Sequence, residues 1–225
     1  ARQAKFARRL GFRETRIIRP SLAGNAPLFA PVAARPLHER KAFLFVARLA
    51  PEKGIDILIE AYRRYREQSR EPWPLIVCGT GPLAERLVAQ PGVETRGFVQ
   101  PDELPAQFAR AACLVLPSLF EPYAVAVHEA AIAGLGIVCS REVAAGDDFV
   151  DPTGVNGEVV ATGDVAALAR ALVTVADRSE AELEAMRRRS IELGARIGPE
   201  DWATALVDVL ERDRSPVVRR VEVGR

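Results

Sequence analysis

Short apolar runs alternate with helical patterns along most of this chain, beginning near Lys41. The runs that we predict as β-strands cover residues 43–46, 75–78, 93–99 with a break at Gly97, 114–116 and 137–139. Each run is followed by a turn and then, in most cases, by a segment with helical spacing or a high alanine content. Because such alternation is typical of βα units, the pattern predicts an α/β fold built on a mainly parallel sheet.

The helices are predicted from apolar residues that share one side. Ile55, Leu58, Ile59 and Tyr62 recur at i, i+3, i+4 and i+7, which is the spacing of a single buried helix face. Gly134 follows another helical segment in the position of a helix-ending glycine. Further helices are predicted over residues 83–88, 165–172, 179–193 and 201–210. Two more are predicted with one bound each: one that begins at residue 101, and an alanine-rich one that ends at residue 133.

The two ends of the chain differ from this pattern. Residues 1–40 are predicted as the end of a preceding domain, in which a basic helix leads toward a strand near residues 17–18, followed by a proline-bearing linker over 23–40. Residues 41–212 then form one domain, and residues 213–225 form a tail without a clear period. A start without methionine and the linker together predict a fragment of a longer protein.

The composition excludes several classes of function. The 225 residues carry 31 Lys and Arg against 30 Asp and Glu, so a formal charge of +1 gives no general attraction to nucleic acid or to an anionic membrane. Hydrophobic residues make up 48% of the chain, yet no apolar run approaches the about 18 residues of a membrane span. We therefore expect a cytoplasmic globular protein that binds a small molecule and no nucleic acid.

The cysteines and histidines give no sign of a metal centre. Cys78, Cys113 and Cys139 each lie in or beside an apolar run, so we predict reduced core residues and neither disulfides nor a thiol nucleophile. The chain has no C-x-x-C pair, and its two histidines, His38 and His128, are far apart. No metal site is therefore predicted.

A glycine-rich turn follows the second predicted strand. Residues 79–84 have the form G-x-G-x-x-A, the pattern of the phosphate-binding turn in dinucleotide-binding folds. Three features argue against a nicotinamide cofactor: Pro82 in the turn, the position of the turn in the second βα unit, and the lack of a clear acidic strand end about 20 residues later. A tight turn that needs Gly79 and Gly81 for its backbone geometry is an equally good interpretation.

Two cations, Arg48 and Lys53, lie in the predicted loop between the first strand and its helix. Ligands of open α/β sheets bind at the carboxyl ends of the strands, where a helix N-terminus also favours anions. Arg48 and Lys53 could together hold a diphosphate there. The alternative is a pair of solvated surface charges.

Two carboxylates, Glu121 and Glu129, lie on either side of a predicted loop-to-helix junction. Their separation would be roughly 12 Å along a helix, which is too far for both to act on one bond as a glycosidase pair does. They could instead hold two ends of one ligand, because ionised carboxylates accept hydrogen bonds from sugar hydroxyls. The alternatives are a helix-start acid at Glu121 and a solvated helix residue at Glu129.

Four motifs, in this order and spacing, resemble those of one enzyme family. They are residues 48–54 (RLAPEKG), 79–82 (GTGP), 116–130 (LPSLFEPYAVAVHEA) and 155–157 (VNG). From about residue 6 to 210 the chain is similar to the C-terminal, donor-binding domain of group 1 (family 4) glycosyltransferases of GT-B fold. The resemblance implies a Rossmann-like, mainly parallel sheet with helices on both faces, as in the C-terminal half of a GT-B fold.

The resemblance also implies an activity: a retaining, metal-independent transfer of a sugar from a nucleotide diphosphate sugar, without a separate cofactor. Arg48 and Lys53 would neutralise the diphosphate leaving group and Glu121 would contact hydroxyls of the transferred sugar, so these three are the candidate catalytic residues. The further donor-binding candidates are Gly79, Gly81, Gly97, Phe98, Tyr123, Ala124, Val125 and Glu129.

Within this donor-binding set, the resemblance assigns Glu129 to the ribose diol. Backbone amides near Ala124 and Val125 would meet phosphate, and the backbone around Gly97 and Phe98 would frame the base. The expected partners are a nucleotide sugar and an N-terminal acceptor domain in the full-length protein, with peripheral membrane contact through that domain.

Some positions depart from the family pattern. Ala124 stands where glycine is usual, Gly136 where proline is usual and the Asp pair at 147–148 where a glutamate is expected. A methyl group at Ala124 would narrow the approach of phosphate and weaken or alter donor binding. His128 occupies a usually apolar position, and we interpret it as a partly buried helix residue without a catalytic role.

Two other functions compete with a complete enzyme. The chain could be a binding module that holds a nucleotide sugar and catalyses nothing alone, because the acceptor site belongs to the other domain of such enzymes. On this interpretation the chain would be inactive as a fragment. Epimerisation of a sugar nucleotide on a related fold would require an acid and a base that we cannot place in this chain.

Overall fold

The computed structural model describes residues 2–14, 17 and 22–212, and they contain a six-stranded sheet. The strands are β1 (Phe43–Val46), β2 (Leu75–Cys78), β3 (Val93–Gly97), β4 (Cys113–Leu116), β5 (Gly136–Ser140) and β6 (Gly157–Val160). All neighbouring pairs are parallel, and the order across the sheet is β3-β2-β1-β4-β5-β6. This is the doubly wound order of Rossmann-like folds, so the predicted fold class is confirmed.

The first five strands lie where the apolar runs predict them. β1 and β2 match the predicted bounds, and β3 ends at Gly97 where the run is broken. β6 is not among the predicted strands: it is a short edge strand with Glu158 exposed, so its sequence carries no continuous apolar run. β6 is defined by its pairing with β5, which begins with Ile137 opposite Gly157.

Helices alternate with the strands as expected, and further helices precede β1 and follow β6 in the chain. They are α1 (Arg2–Arg9), α2 (Ala26–Phe29), α3 (Ile55–Gln68), α4 (Glu85–Val88), α5 (Leu104–Phe108), α6 (Val125–Ile132), α7 (Gly146–Phe149), α8 (Val165–Ala176), α9 (Glu180–Gly194) and α10 (Pro199–Arg212). α9 begins with a reciprocal capping box between Ser179 and Glu182, which satisfies backbone groups at the helix start. Gly134 follows α6 with φ 74°, as predicted for a helix-ending glycine.

Two helix pairs cover the sheet. α3 leaves β1 toward β2 and α6 leaves β4 toward β5, so right-handed crossovers in opposite directions place these helices on opposite faces. α3 packs against α8, and α6 packs against α9. At the second contact Gly194 lets the backbones approach closely, since a Cβ there would lie 2.6 Å from the backbone nitrogen of Ile132.

The central strands form the core. Every residue of β2, β4 and β5 is buried, which is expected for parallel strands covered on both faces. Cys78, Cys113 and Cys139 are free and buried, as predicted, and burial raises the pKa of the Cys113 thiol to about 12. The structure therefore assigns these cysteines to packing.

The predicted linker folds against the domain. Phe29, Val32 and Leu37 belong to the core, and the buried guanidinium of Arg40 donates to the carbonyl oxygens of Val32 and Ala133 and also to that of Arg35. The assignment of residues 1–40 to the end of a preceding domain stays a prediction. Of the strand predicted near residues 17–18 only residue 17 is described, and the tail 213–225 lies outside the described residues.

None of the helices in the described part of the chain combines the length and the apolar content that a bilayer span requires.

Candidate functional site

The carboxyl ends of β1 and β4 form the centre of the candidate site. The chain order reverses between these adjacent strands, and ligands of open α/β sheets bind in the crevice that such a reversal creates. The loop after β4 is tied to the loop after β1, because the backbone N–H groups of Leu119 and Phe120 both donate to the carbonyl oxygen of Glu52, at 2.8 and 3.1 Å. The two loops therefore meet at one edge of the sheet.

An ion pair joins two of the predicted catalytic residues across this edge. Lys53 Nζ lies 2.6 Å from Glu121 Oε2, and the two side chains are only 12% and 14% exposed. Glu121 Oε1 also accepts a hydrogen bond from the backbone N–H of Tyr123 at 3.3 Å, which orients the carboxylate. The structure thus brings Lys53 and Glu121 together, although they lie 68 positions apart in sequence.

Arg48 occupies a different environment in the same loop. Its side chain is 74% exposed and pairs with Glu52 at 2.6 Å. Such an exposed pair contributes little to stability, so the guanidinium can exchange its partner at small cost. The sequence carries no signal for Glu52 as the partner of Arg48, because that pairing is decided by the fold of the turn between them.

Gly79 and Gly81 permit a close approach between two backbones. Their φ angles are 151° and 157°, and a Cβ at either position would overlap a carbonyl oxygen, that of Ala47 at Gly79 and that of Leu49 at Gly81. The amide of Leu49 in turn donates to the carbonyl of Thr80 at 2.8 Å. This geometry supports the interpretation that Gly79 and Gly81 are needed for the backbone conformation of a tight turn. It also places the turn beside Arg48.

A shallow pocket of about 240 Å³ opens beside this turn. Its lining includes Arg48, Thr80, Phe98, Val99 and Leu104. Phe98 follows Gly97 at the end of β3 and remains 67% exposed. The structure therefore places Gly97 and Phe98 at the same edge as Arg48, with an aromatic ring available for stacking.

Ala124 stands directly before α6 in an unusual backbone conformation. Its φ of 73° and ψ of 86° make it the only residue other than glycine with positive φ in the described part of the chain. No side chain caps α6, which begins at Val125. The helix start at Ala124 and Val125 thus combines the positive end of the helix dipole with a glycine-like backbone that carries a methyl group.

Tyr123 and Glu129 flank this helix start and differ from simple surface residues. Tyr123 is buried, and its hydroxyl donates to the carbonyl oxygen of Leu22 at 3.0 Å. Burial raises the pKa of Glu129 to about 7, and a hydrogen bond from the backbone of Asn25 opposes that rise. Glu129 is therefore half-buried against the N-terminal segment and not a solvated helix residue.

His128 corrects one expectation, since it is completely buried and not partly so. Its ring stacks on Phe149 with 4.2 Å between centroids. Nδ1 accepts a hydrogen bond from the backbone N–H of Gly24 at 2.8 Å, and Nε2 lies 3.0 Å from the carbonyl oxygen of Gly194. Burial lowers the pKa of His128, so the ring is neutral with its proton on Nε2.

Another departure from the family pattern has a packing reason. A Cβ at Gly136 would lie 2.5 Å from Met186 Sδ, so the methionine of α9 occupies the space that a larger residue would need. The N–H of Gly136 also donates to the carbonyl of Ala112 at 2.8 Å, which proline could not do. The Asp pair at 147–148 is exposed at the start of α7.

Comparison with known proteins agrees with this architecture. The model of the family described as "Glycosyl transferases group 1" matches residues 40–178. A glycogen synthase of Mycobacterium tuberculosis is 32% identical over 202 residues, which cover 86% of this chain and 47% of the relative. The chain therefore spans about half the length of this curated relative.

Solved structures show the same fold. Sucrose-phosphate synthase from Thermosynechococcus elongatus superposes with a TM-score of 0.75 at 24% identity, over 93% of this chain and 56% of that one. The pneumococcal O-GlcNAc transferase GtfA in complex with UDP and GlcNAc superposes with a TM-score of 0.65 at 19% identity, over 78% and 36%. Since the family model covers more than half of the sequence, this chain belongs to the group 1 glycosyltransferases and has the Rossmann-like fold of one domain of a GT-B enzyme.

Proposed function

We propose that this chain binds the donor of a retaining glycosyltransferase, which transfers a sugar from a nucleotide diphosphate sugar to an acceptor hydroxyl. The observation that carries the proposal is the Lys53–Glu121 pair at the meeting point of β1 and β4. A cation and a hydroxyl-binding carboxylate stand together there, beside an uncapped helix start at Val125. A diphosphate joined to a sugar needs these two kinds of group next to each other.

The diphosphate is expected to draw Lys53 away from Glu121. A leaving diphosphate carries more negative charge than one carboxylate, and Lys53 is largely enclosed, so its interaction with the ligand would be strong. Arg48 at the exposed rim would exchange Glu52 for a second phosphate oxygen. The amides at the start of α6 add further donors, which makes a metal ion unnecessary for charge neutralisation.

The remaining groups account for the other parts of the donor. Glu121, released by Lys53, accepts from hydroxyls of the sugar, and Glu129 accepts from the ribose diol. The pocket beside Phe98 receives the base. The structurally similar O-GlcNAc transferase GtfA holds UDP, but the pocket in this chain leaves the choice among uridine, guanosine and adenosine open.

The reaction needs no nucleophile from the protein. The bond between the anomeric carbon and the diphosphate oxygen breaks, and the acceptor oxygen bonds to the same face of the sugar. The acceptor proton passes to the departing phosphate oxygen. We further propose that the acceptor is held by an N-terminal domain of the full-length protein, which would also provide any peripheral membrane contact.

Calorimetric titration of UDP, GDP and ADP tests the proposed site. We expect at least one of them to bind, and Lys53→Ala to lose about 1.5–3 kcal/mol of that binding free energy. Lys41→Ala is the matched control, because Lys41 is exposed just before β1, at the opposite edge of the sheet. Equal affinities of wild type and Lys53→Ala, or equal losses in both variants, would refute the phosphate role of Lys53.

Turnover distinguishes an enzyme from a binding module. The full-length protein should release nucleoside diphosphate from its nucleotide sugar in the presence of acceptor, whereas a binding module would show affinity alone. Release that persists undiminished in Lys53→Ala would contradict the proposed chemistry.

A further inference from the structure

Residues 22–25, which we call the strap, cross the start of α6 and touch the proposed ribose residue. Tyr123 Oη donates to the carbonyl of Leu22 at 3.0 Å, and the N–H of Gly24 donates to His128 Nδ1 at 2.8 Å. A backbone hydrogen bond from Asn25 reaches the carboxylate of Glu129. Residues 123, 128 and 129 all belong to the motif at 116–130. They therefore hold one short segment that lies about a hundred positions earlier in the chain.

The hydrogen bonds of the His128 ring fix the position of the strap relative to α6. Because its Nδ1 accepts from Gly24, the ring proton must reside on Nε2, which donates to the carbonyl of Gly194 at the end of α9. Stacking on Phe149 sets the plane of the ring. A neutral histidine thus connects the strap to α7 and α9. Only this orientation of the ring places Nδ1 at Gly24 and Nε2 at Gly194.

The strap in turn restrains Glu129. Gly24 is buried, and a Cβ on it would lie 3.1 Å from Glu129 Cγ and 3.2 Å from Ile132 Cδ1, so the backbone packs directly on the glutamate stem. The Asn25 amide uses one acceptor position of the carboxylate. An ionised carboxylate offers about four such positions, which leaves room for the two hydroxyls of a diol.

We propose that the strap positions Glu129 for the ribose of the donor, and that His128 and Tyr123 are positioning residues acting through it. This inference rests on the proposed function, since it assumes that Glu129 meets the ribose. The strap amide also supports the charged form of a carboxylate that burial disfavours. Loss of the strap would therefore remove both the orientation and the charge that a diol requires.

Two substitutions of His128 separate positioning from simple packing. In His128→Asn the side-chain oxygen lies near the position of Nδ1 and can accept from the N–H of Gly24. In His128→Gln the side-chain amide reaches the position of Nε2 and can donate to the carbonyl of Gly194, but it leaves the N–H of Gly24 without an acceptor. Affinities for the best nucleoside diphosphate and for inorganic pyrophosphate are measured by calorimetry. We expect His128→Gln to lose about tenfold for the nucleotide and little for pyrophosphate, and His128→Asn to stay within about threefold for both.

Gly24→Ala and Tyr123→Phe test the strap without altering the buried histidine. The first pushes on the Glu129 stem, and the second removes only the hydroxyl that holds Leu22. Both should weaken nucleotide binding more than pyrophosphate binding, while circular dichroism shows a folded domain. Equal effects on the two ligands, or equal behaviour of His128→Asn and His128→Gln, would overturn the positioning role.

Glu129→Gln distinguishes failure of this inference from failure of the proposed function. If Glu129→Gln loses nucleotide affinity but the strap variants do not, the strap has no positioning role and the ribose contact stands. If wild type binds no nucleoside diphosphate, or Glu129→Gln binds it as wild type does, the ribose contact and the strap inference fall together.

Discussion

Lys53 and Glu121 pair with each other across the edge where β1 and β4 end, at 2.6 Å and largely enclosed. The proposed phosphate-binding cation and the proposed sugar-binding carboxylate therefore neutralise one another before any donor arrives. A donor bound as proposed would separate the two side chains, which breaks the ion pair and gives each side chain a new contact with the donor.

Glu121→Gln should bind free nucleoside diphosphate more tightly than wild type. The amide no longer competes for Lys53, so an incoming diphosphate meets an unpaired cation, and we expect a gain of about three- to tenfold. The same variant should lose turnover with the nucleotide sugar, since a charged acceptor for sugar hydroxyls is missing. Calorimetry and a diphosphate-release assay measure the two effects, and weaker binding of nucleoside diphosphate by Glu121→Gln would contradict the competition.

Ala124→Gly should stabilise the protein. Ala124 has φ 73°, a region that costs a residue with a Cβ about 1–2 kcal/mol and glycine little. We expect a gain of about 1 kcal/mol in the free energy of unfolding, measured by urea denaturation. Ala185→Gly, in the middle of α9 with ordinary helical geometry, is the control and should lose about as much. A destabilised Ala124→Gly would show that the loop does not strain this residue.

Gly136 and Met186 should behave as a coupled pair. Gly136→Ala places a methyl group 2.5 Å from Met186 Sδ, and overpacking of a core costs about 1–3 kcal/mol. In the double variant with Met186→Ala the new methyl group fits the vacated space. The double variant should therefore lose less free energy of unfolding than the sum of the losses of the two single variants. A double-mutant cycle by urea denaturation checks this, and additive losses would count against direct contact.

Glu129 should make the stability of the protein depend on pH. Burial raises its pKa from 4.5 to about 7, so between these values the folded protein holds a proton that the unfolded chain has released. The stability from this group is complete below about pH 4.5 and is lost as the pH rises to about 7.

Comparison with Glu129→Gln isolates this effect. From pH 5 to pH 8 wild type should lose roughly 2–3 kcal/mol relative to the variant, which does not titrate at this position. Urea denaturation at both pH values measures the difference. Parallel pH dependence of the two proteins would mean that Glu129 is solvated in solution.

Local patterns were sufficient to predict most of the architecture. The apolar runs predict strands β1 and β2 to the residue, and the apolar spacing predicts the buried face of α3, because periodic burial is visible in nearby residues of the sequence. The short segments β6 and α7 escaped prediction, since an edge strand with exposed Glu158 and a four-residue helix carry too few periodic positions. The residues predicted as a linker contribute Phe29 and Leu37 to the core.

The sequence by itself determined the family, through four motifs in a fixed order, and with it the residue types that would meet a donor. Only the tertiary structure decided which of them touch: Lys53 with Glu121, and Gly24 with His128. These partners lie 68 and 104 positions apart. No local pattern encodes such contacts, because they arise only where parallel strands end at a common edge and an early segment folds back over a later helix.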